Sequence, residues 1–276
     1  MQWLHLLPAW YQYIIVFSIG AIIGSFLNVY IYRFHTGKSL SGHSHCLSCG
    51  TRLRFFELFP LFSYMGLLGR CRTCGSGVPV RYFLVEFLTA SLYLLVYLKS
   101  NSLLEVLYLW IVLAILIVIV VYDIRHYIIP DSLTATLTGL VLTWMVFLWY
   151  SGIPPMPLLI TVAAALAGSA FFYLLWKVSG GRWIGFGDVK LAFPLGLIVG
   201  ASLVFSMIAL SFWIGAAISL ALVGLSKIQR GKLPLRLGMR TLTIKSVVPF
   251  APFLIAGCIL TLFTKLDVLT LFAFIY

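Results

Sequence analysis

The sequence predicts an all-α polytopic membrane protein: about eight transmembrane helices, with one small loop module after the first. Three observations predict it. Hydrophobic residues make up 62% of the chain and charged residues 9%, against about 25% charged in a soluble domain. Apolar runs close to the ~20 residues that cross a bilayer as a helix recur along the whole chain. Basic residues are concentrated in alternate loops between those runs.

The runs lie near 10–32, 82–98, 104–122, 132–150, 158–176, 188–201, 203–226 and 246–264. The sixth is short. A continuous bent helix through Gly200-Ala201-Ser202 would fuse it to the seventh and leave seven spans. With the N-terminus outside, loops 33–81, 123–131, 177–190 and 227–245 face the cytoplasm and hold 17 of the 19 Lys and Arg residues; only Lys99 and Lys265 fall elsewhere. That asymmetry supports the even count and places both termini outside. The net charge of +12 is therefore topological first, and attraction to anionic lipid headgroups is a second reading. It gives no reason to expect nucleic acid. No cleavable signal peptide is expected, because Met1–Tyr13 has no basic region and Gly20–Tyr32 continues into a full span.

The loop 33–81 is the one non-membrane module. It is too short for a sizeable apolar core and needs a staple. Cys46-x-x-Cys49-Gly50 and Cys71-x-x-Cys74-Gly75 supply one. Each CxxCG turn directs two sulfurs to a point, with the glycine expected to relieve backbone crowding. Two such turns make a tetrahedral four-thiolate site that suits zinc. A reducing cytoplasm disfavours two disulfides, leaving redox-active or unpaired thiols as the alternative. Four thiolates close the coordination shell, so the metal would be structural, and His43 and His45 read as loop residues. Cys258, in an apolar run, reads as a packing residue. The loop 227–245, with six basic and no acidic residues, reads as a topogenic flank.

Only seven acidic residues occur, so each is informative. Glu105 and Asp267 sit at outside helix ends and read as solvated charges. Asp123 follows the unbroken apolar run Val106–Tyr122, where a carboxylate is a functional hypothesis by default. Asp188 follows two glycines in Gly185-Phe186-Gly187-Asp188, which permit close backbone approach and a bend. The topology puts both aspartates at one depth on one face. Two adjacent carboxylates share a proton, one acting as general base on water and the other as general acid on a carbonyl. The alternative is ordinary pairing, Asp123 with Arg125 and Asp188 with Lys190. Asp131 reads as a helix N-cap. Glu86, one turn inside the second span, pairs with an arginine such as Arg33 or Arg81 or serves a second site; Glu57 and Glu86 flank the cysteine loop. Asn28 lies among small residues in the first span, a helix-packing signature.

These segments, taken in order, resemble the bacterial type IV prepilin leader peptidases, which are also N-methyltransferases. The resemblance is carried by Gly24-Ser25-Phe26-Leu27-Asn28-Val29 with Arg33, the two CxxC pairs, and Glu57-Leu58-Phe59-Pro60. It continues through Gly69-Arg70-Cys71-Arg72 and Arg81-Tyr82 through Glu86. Asp123 with Ile129-Pro130-Asp131, the GxGD motif in Gly185-Phe186-Gly187-Asp188-Val189-Lys190, and Val248-Pro249-Phe250-Ala251-Pro252-Phe253 complete it. Leu47, Phe83 and Ala251 depart from the family's usual Pro, Pro and Gly. The resemblance implies an inner-membrane aspartic endopeptidase that removes the basic leader of prepilins and pseudopilins after a Gly, usually before Phe, at the cytoplasmic face. It then implies methylation of the new N-terminus from S-adenosylmethionine. Asp123 and Asp188 would be the catalytic pair, Cys46, Cys49, Cys71 and Cys74 the zinc ligands, and Glu57 and Glu86 residues of the S-adenosylmethionine site. Residues 1–98 would form the methyltransferase region and 99–276 a six-helix peptidase domain. A peptidase lacking methyl transfer is one rival; a cation transporter using the aspartates as a relay, or a zinc-dependent scaffold, belongs to a different class.

Overall fold

A computed structural model describes the chain apart from residues 1–7, 35, 37–38, 40–41, 230–247 and 274–276. The basic loop 227–245 therefore lies almost wholly outside the described residues. Ten α-helices occur among the described residues: α1 Ala9–Arg33, α2 Phe62–Gly66, α3 Arg81–Lys99, α4 Leu103–His126, α5 Asp131–Tyr150, α6 Pro155–Ser179, α7 Phe186–Val199, α8 Val204–Gln229, α9 Ala251–Thr264 and α10 Val268–Ala273. Eight of them coincide with the eight apolar runs. Six elements are long and apolar enough to cross a membrane: α1, α3, α4, α5, α6 and the stretch Ala201–Gly224. The runs 188–201 and 246–264 instead form the 14-residue helices α7 and α9. At 1.5 Å per residue each is about 21 Å long, shorter than the ~30 Å apolar core of a bilayer. A single helix through 200–202 does not form. Gly200 takes φ +88°, and a 3₁₀ turn over Ala201–Leu203 separates α7 from α8.

Two compact units divide the chain, Met1–Val121 and Tyr122–Tyr276. In the first, α1 packs along α3. Gly20 and Gly24 stand four residues apart on α1. A Cβ would lie 2.6 Å from the Ala90 Cα at the first and 2.7 Å from the Glu86 Cα at the second. Backbones this close are how helices associate where lipid removes the hydrophobic drive between them. Polar groups fasten the pair: Asn28 Nδ2 donates to the Tyr82 carbonyl at 3.0 Å, and the Tyr97 hydroxyl donates to Gln12 Oε1. Tyr93 and Trp110 stack with ring centroids 4.7 Å apart, joining α3 to α4. Each also donates to the other's backbone carbonyl, at 2.9 and 3.1 Å, so the buried O–H and N–H are satisfied.

In the second unit α7 is the central element and packs against α5, α6, α8 and α9. Leu191, Ala192 and Leu195 on α7 are fully or almost fully buried. Gly196 lets α6 approach so closely that a Cβ there would lie 2.9 Å from the Ala165 Cα. Asp267 is not a free solvated charge: it accepts the Ser206 hydroxyl and the Leu269 N–H, each at 3.0 Å, tying the start of α10 to α8.

The close α1–α3 contact sets a first test. Gly24→Val should destabilise the protein by about 1–3 kcal/mol, the usual cost of overpacking, read as a fall in melting temperature in detergent. Gly139→Ala, with no neighbour within 4 Å of the new Cβ, should lower nothing. Equal melting temperatures for the Gly24 variant and the unmodified protein would disprove this account of the interface.

Candidate functional site

The second unit brings Asp123 and Asp188 together. Asp123 lies in the last turn of α4 and Asp188 in the first turn of α7, and they are 5% and 6% exposed. The Asp123 carboxylate acts electrostatically on Asp188. Their approach depends on Gly187, where a Cβ would lie 3.0 Å from Ile129 Cβ. A side chain there would crowd Ile129, in the segment that leaves α4. Gly185 has an ordinary extended backbone, and its N–H donates to Asp188 Oδ2 at 3.2 Å. Asp188 thus caps its own helix, with its negative charge at the positive end of the α7 dipole. Its other oxygen, Oδ1, is buried and has no hydrogen-bond partner among the described residues. An orphaned acceptor in the interior calls for an explanation beyond packing.

Asp123 meets a second helix N-terminus. The backbone N–H of Ala251, the first residue of α9, acts electrostatically on its carboxylate. Phe250 anchors that end: its ring lies 5.8 Å from Phe172, 5.1 Å from Phe212 and 6.4 Å from Phe253. The proline-rich segment at 248–253 therefore has a structural job, aiming α9 at Asp123. The suggested pairing of Lys190 with Asp188 does not occur. Lys190 Nζ instead bonds both oxygens of Asp131, at 2.8 and 2.9 Å. Asp131 is likewise not an N-cap: Pro130 holds that position, and Asp131 is the first helical residue of α5, with its charge still suited to the helix start. Sequence reasoning missed this ion pair, which spans 59 positions.

In the first unit the four loop cysteines converge. The Sγ atoms of Cys46, Cys49, Cys71 and Cys74 all lie within 4.8 Å of one another, and Cys46 and Cys74 are 3.9 Å apart. A tetrahedral zinc with ~2.3 Å bonds needs sulfurs about 3.8 Å apart, so the cluster fits that ion. The two halves are built alike. Gly50 N–H donates to Cys46 O at 2.9 Å and Gly75 N–H to Cys71 O at 2.8 Å. Bridges His45 to Arg52 and Arg70 to Gly77 close each knuckle. The glycines do not relieve crowding, because a Cβ at either would meet nothing within 4 Å. They are needed for the left-handed backbone, φ +72° and +69°. Backbone N–H groups of Cys49 and Ser48, then the Ser76 hydroxyl, push the Cys46 thiol down from 9.0 to about 5. These donors favour the thiolate that a metal requires. His43 and His45 lie outside the sulfur cluster.

Glu57 and Glu86 both line one cavity of about 750 Å³. Its walls come from α1, α3 and the cysteine loop, and include Ser25, Asn28, Arg33, Cys71 and Tyr82. Glu57 Oε2 accepts the Arg54 N–H at 2.7 Å, closing a short 3₁₀ turn. Glu86 is 9% exposed, and no arginine among the described residues is seen to pair with it: Oε2 accepts the Leu61 N–H at 2.9 Å, and Ser25 lines the same cavity.

A polytopic helical chain that buries two electrostatically interacting carboxylates at helix ends has the makings of a membrane-embedded acid–base site. Comparison with known proteins narrows this. Residues 18–100 match the bacterial peptidase A24 N-terminal domain, and residues 110–220 match the type IV leader peptidase family. The prepilin leader peptidase/N-methyltransferase of Pectobacterium carotovorum subsp. carotovorum is 31% identical over 266 residues, 86% of this chain and 92% of that protein. The protein of the same name from Burkholderia pseudomallei (strain 1026b) is 30% identical over 293 aligned positions, 93% of this chain and 87% of its own length. That of Myxococcus xanthus (strain DK1622) is 32% identical over 188 residues, 66% of this chain; the match spans 55% of its length. No solved structure matches. The chain belongs to the type IV leader peptidase family.

The cysteine geometry predicts about one zinc per chain by elemental analysis of the purified protein. Cys71→Ser should lower that content at least several-fold and lower the melting temperature. A preparation with no stoichiometric metal would rule out the four-thiolate site.

Proposed function

We propose that this protein is an inner-membrane aspartic endopeptidase that removes the basic leader of prepilins or pseudopilins and then methylates the exposed N-terminus. Asp123 and Asp188 perform the hydrolysis. The observation that carries this is the buried, unpartnered Asp188 Oδ1 beside a second buried carboxylate. One carboxylate of the pair, ionised, takes a proton from water as its oxygen attacks the scissile carbonyl carbon. The other, protonated, donates to the carbonyl oxygen. The carboxyl group that took the water proton then gives it to the leaving amine as the C–N bond breaks, while a hydroxyl of the tetrahedral intermediate returns its proton to the other carboxylate as the C=O re-forms, so the pair is again singly protonated. Roles belong to the pair, because such groups titrate together. The relatives' names favour this reading over a cation relay or a scaffold.

The substrate follows from the family: a Gly-Phe type bond between a short basic leader and a hydrophobic helix. The concentration of 17 of 19 basic residues in four alternate loops supports a cytoplasmic position for the cysteine loop and the aspartates, with both termini outside. Methyl transfer falls to residues 1–98 and hydrolysis to 99–276, a division supported by the two family matches at 18–100 and 110–220. The cavity holding Glu57 and Glu86 is the methyl-transfer site. Its volume, about 750 Å³, suits a cofactor-sized ligand, since such pockets run about 300–1,000 Å³, and carboxylates suit a cationic donor. S-adenosylmethionine supplies an electrophilic methyl group there. Zinc on Cys46, Cys49, Cys71 and Cys74 supplies structural cross-linking, with no coordination position left for substrate.

Asp123→Asn and Asp188→Asn should each reduce leader removal by about 10²–10⁴-fold, the usual range for loss of a general acid or base. Mass spectrometry of a prepilin peptide reads the outcome directly. Wild-type cleavage by either variant would remove the dyad from the mechanism.

A further inference from the structure

The methyl-transfer cavity must receive two substrates of different character. The methyl donor is polar and comes from water. The acceptor is the α-amine of a chain that continues into a hydrophobic helix, so it comes from the membrane side. The cavity's walls differ in the same sense. The cysteine loop, with Glu57, forms one part; the membrane helices α1 and α3, with Ser25, Asn28 and Glu86, form the other.

The two glutamates are held differently. Glu57 lies in the loop, half-buried, and braces its own turn. Glu86 lies in the second turn of an apolar helix, where an uncompensated carboxylate is costly. Its fixation is built at some expense to the backbone. Phe62 N–H bonds the Pro60 carbonyl at 2.7 Å around Leu61, whose φ is +62° and ψ −52°. This is a classic-sense γ-turn, rare and strained for a residue with a side chain. It is held by burial of the Leu61 side chain with Ala21 and Ala90. Its result is to aim the Leu61 N–H at Glu86 Oε2, at 2.9 Å. Opposite, Gly24 allows α1 to lie against the Glu86 backbone, and brings Ser25 of the same helix into the wall that Glu86 shares. A carboxylate accepts about four hydrogen bonds. The Leu61 N–H fixes this one and leaves it capacity toward the cavity it lines.

We infer that Glu86 binds the newly exposed α-ammonium group of the processed substrate and takes its proton before methyl transfer, while Glu57 serves the donor side of the same cavity. This rests on the methyl-transfer reading above. An α-amine has a pKa of about 7.7–8.0, so at neutral pH most of it is protonated and has no lone pair to offer. One N–H proton passes to the Glu86 carboxylate. The neutral nitrogen then forms its bond to the methyl carbon as the donor's C–S bond breaks, and that bond's electron pair stays on sulfur. The positive charge moves from sulfonium to the N-methylammonium product, and Glu86 returns its proton to water. No oxidant or reductant is involved.

The decisive experiment uses the full-length wild-type protein in detergent with a synthetic, already cleaved peptide. A hydrophobic carbodiimide joins an amine to a carboxylate without a spacer, so a bound amine couples at low peptide concentration, with saturation, and in preference to a free small amine added in excess. Mass spectrometry should find an amide between the peptide's terminal nitrogen and Glu86, and a des-amino peptide should give none. A link at Glu57, or at no carboxylate of residues 1–98, would overturn the assignment. Glu86→Gln should lower the rate of methyl transfer to the cleaved peptide by about 10²-fold or more and change the Kd of S-adenosylmethionine less than 3-fold. Glu57→Gln should show the converse split. Unchanged transfer in Glu86→Gln would also overturn it. Wild-type protein that forms the Glu86 link yet transfers no methyl group would count against methyl transfer itself; a misplaced link with transfer intact would count against Glu86 alone.

Discussion

Keeping two carboxylates inside an apolar helical bundle is the constraint on which the second unit depends. A buried charge costs several kcal/mol unless something answers it, and no lysine or arginine among the described residues does so for Asp188. Helix N-termini answer instead. Asp188 lies within the first turn of α7, and Asp123 faces the first N–H of α9. These are the same two helices that are only 14 residues long. A helix of about 21 Å can begin below the surface of a bilayer rather than at it. The shortness that makes 188–201 and 246–264 poor spans is thus what lets their positive ends reach buried acids. Gly187 against Ile129 and the Phe250 aromatic cluster hold those ends in place.

The first unit solves a different problem with the same economy. Its loop is too short to fold around an apolar core, so two near-identical knuckles, each closed by a left-handed glycine and a single bridge, present four sulfurs to one point. The resulting rigid body roofs a cavity whose remaining walls are membrane helices. The cysteine cluster and the cavity are therefore coupled through Cys46 and Cys71, which belong to both. A structural metal there would act on methyl transfer by setting the shape of the wall.

Much of this was legible in the sequence because the signals are one-dimensional. Apolar run length gave eight helices, cysteine spacing gave the knuckles, and the scarcity of acids drew attention to Asp123 and Asp188. What was not legible depends on direction in space. That Lys190 turns from Asp188 to Asp131 is decided by the packing of α5 on α7, across 59 positions. That Ala251 presents its N–H to Asp123 depends on where three aromatic rings seat Phe250. Leu61 carries no sequence sign of its left-handed backbone, since leucine rarely adopts it. Gly50 and Gly75 were read as small when the property that matters is conformational freedom.

The two chemistries proposed for the chain place different demands on their acids, and the structure separates the acids accordingly. Hydrolysing an amide moves protons in both directions, from water and onto the leaving nitrogen. That requires two groups that exchange a proton, and an acceptor such as Asp188 Oδ1 kept free of fixed partners. Methylating an amine removes one proton and returns it to water afterwards. That requires a single carboxylate of fixed position, which is how the Leu61 N–H holds Glu86. A paired, underbonded site and a single, clamped one thus differ by the reaction each can support. A chain with only seven acidic residues can accommodate both because neither site needs more than two.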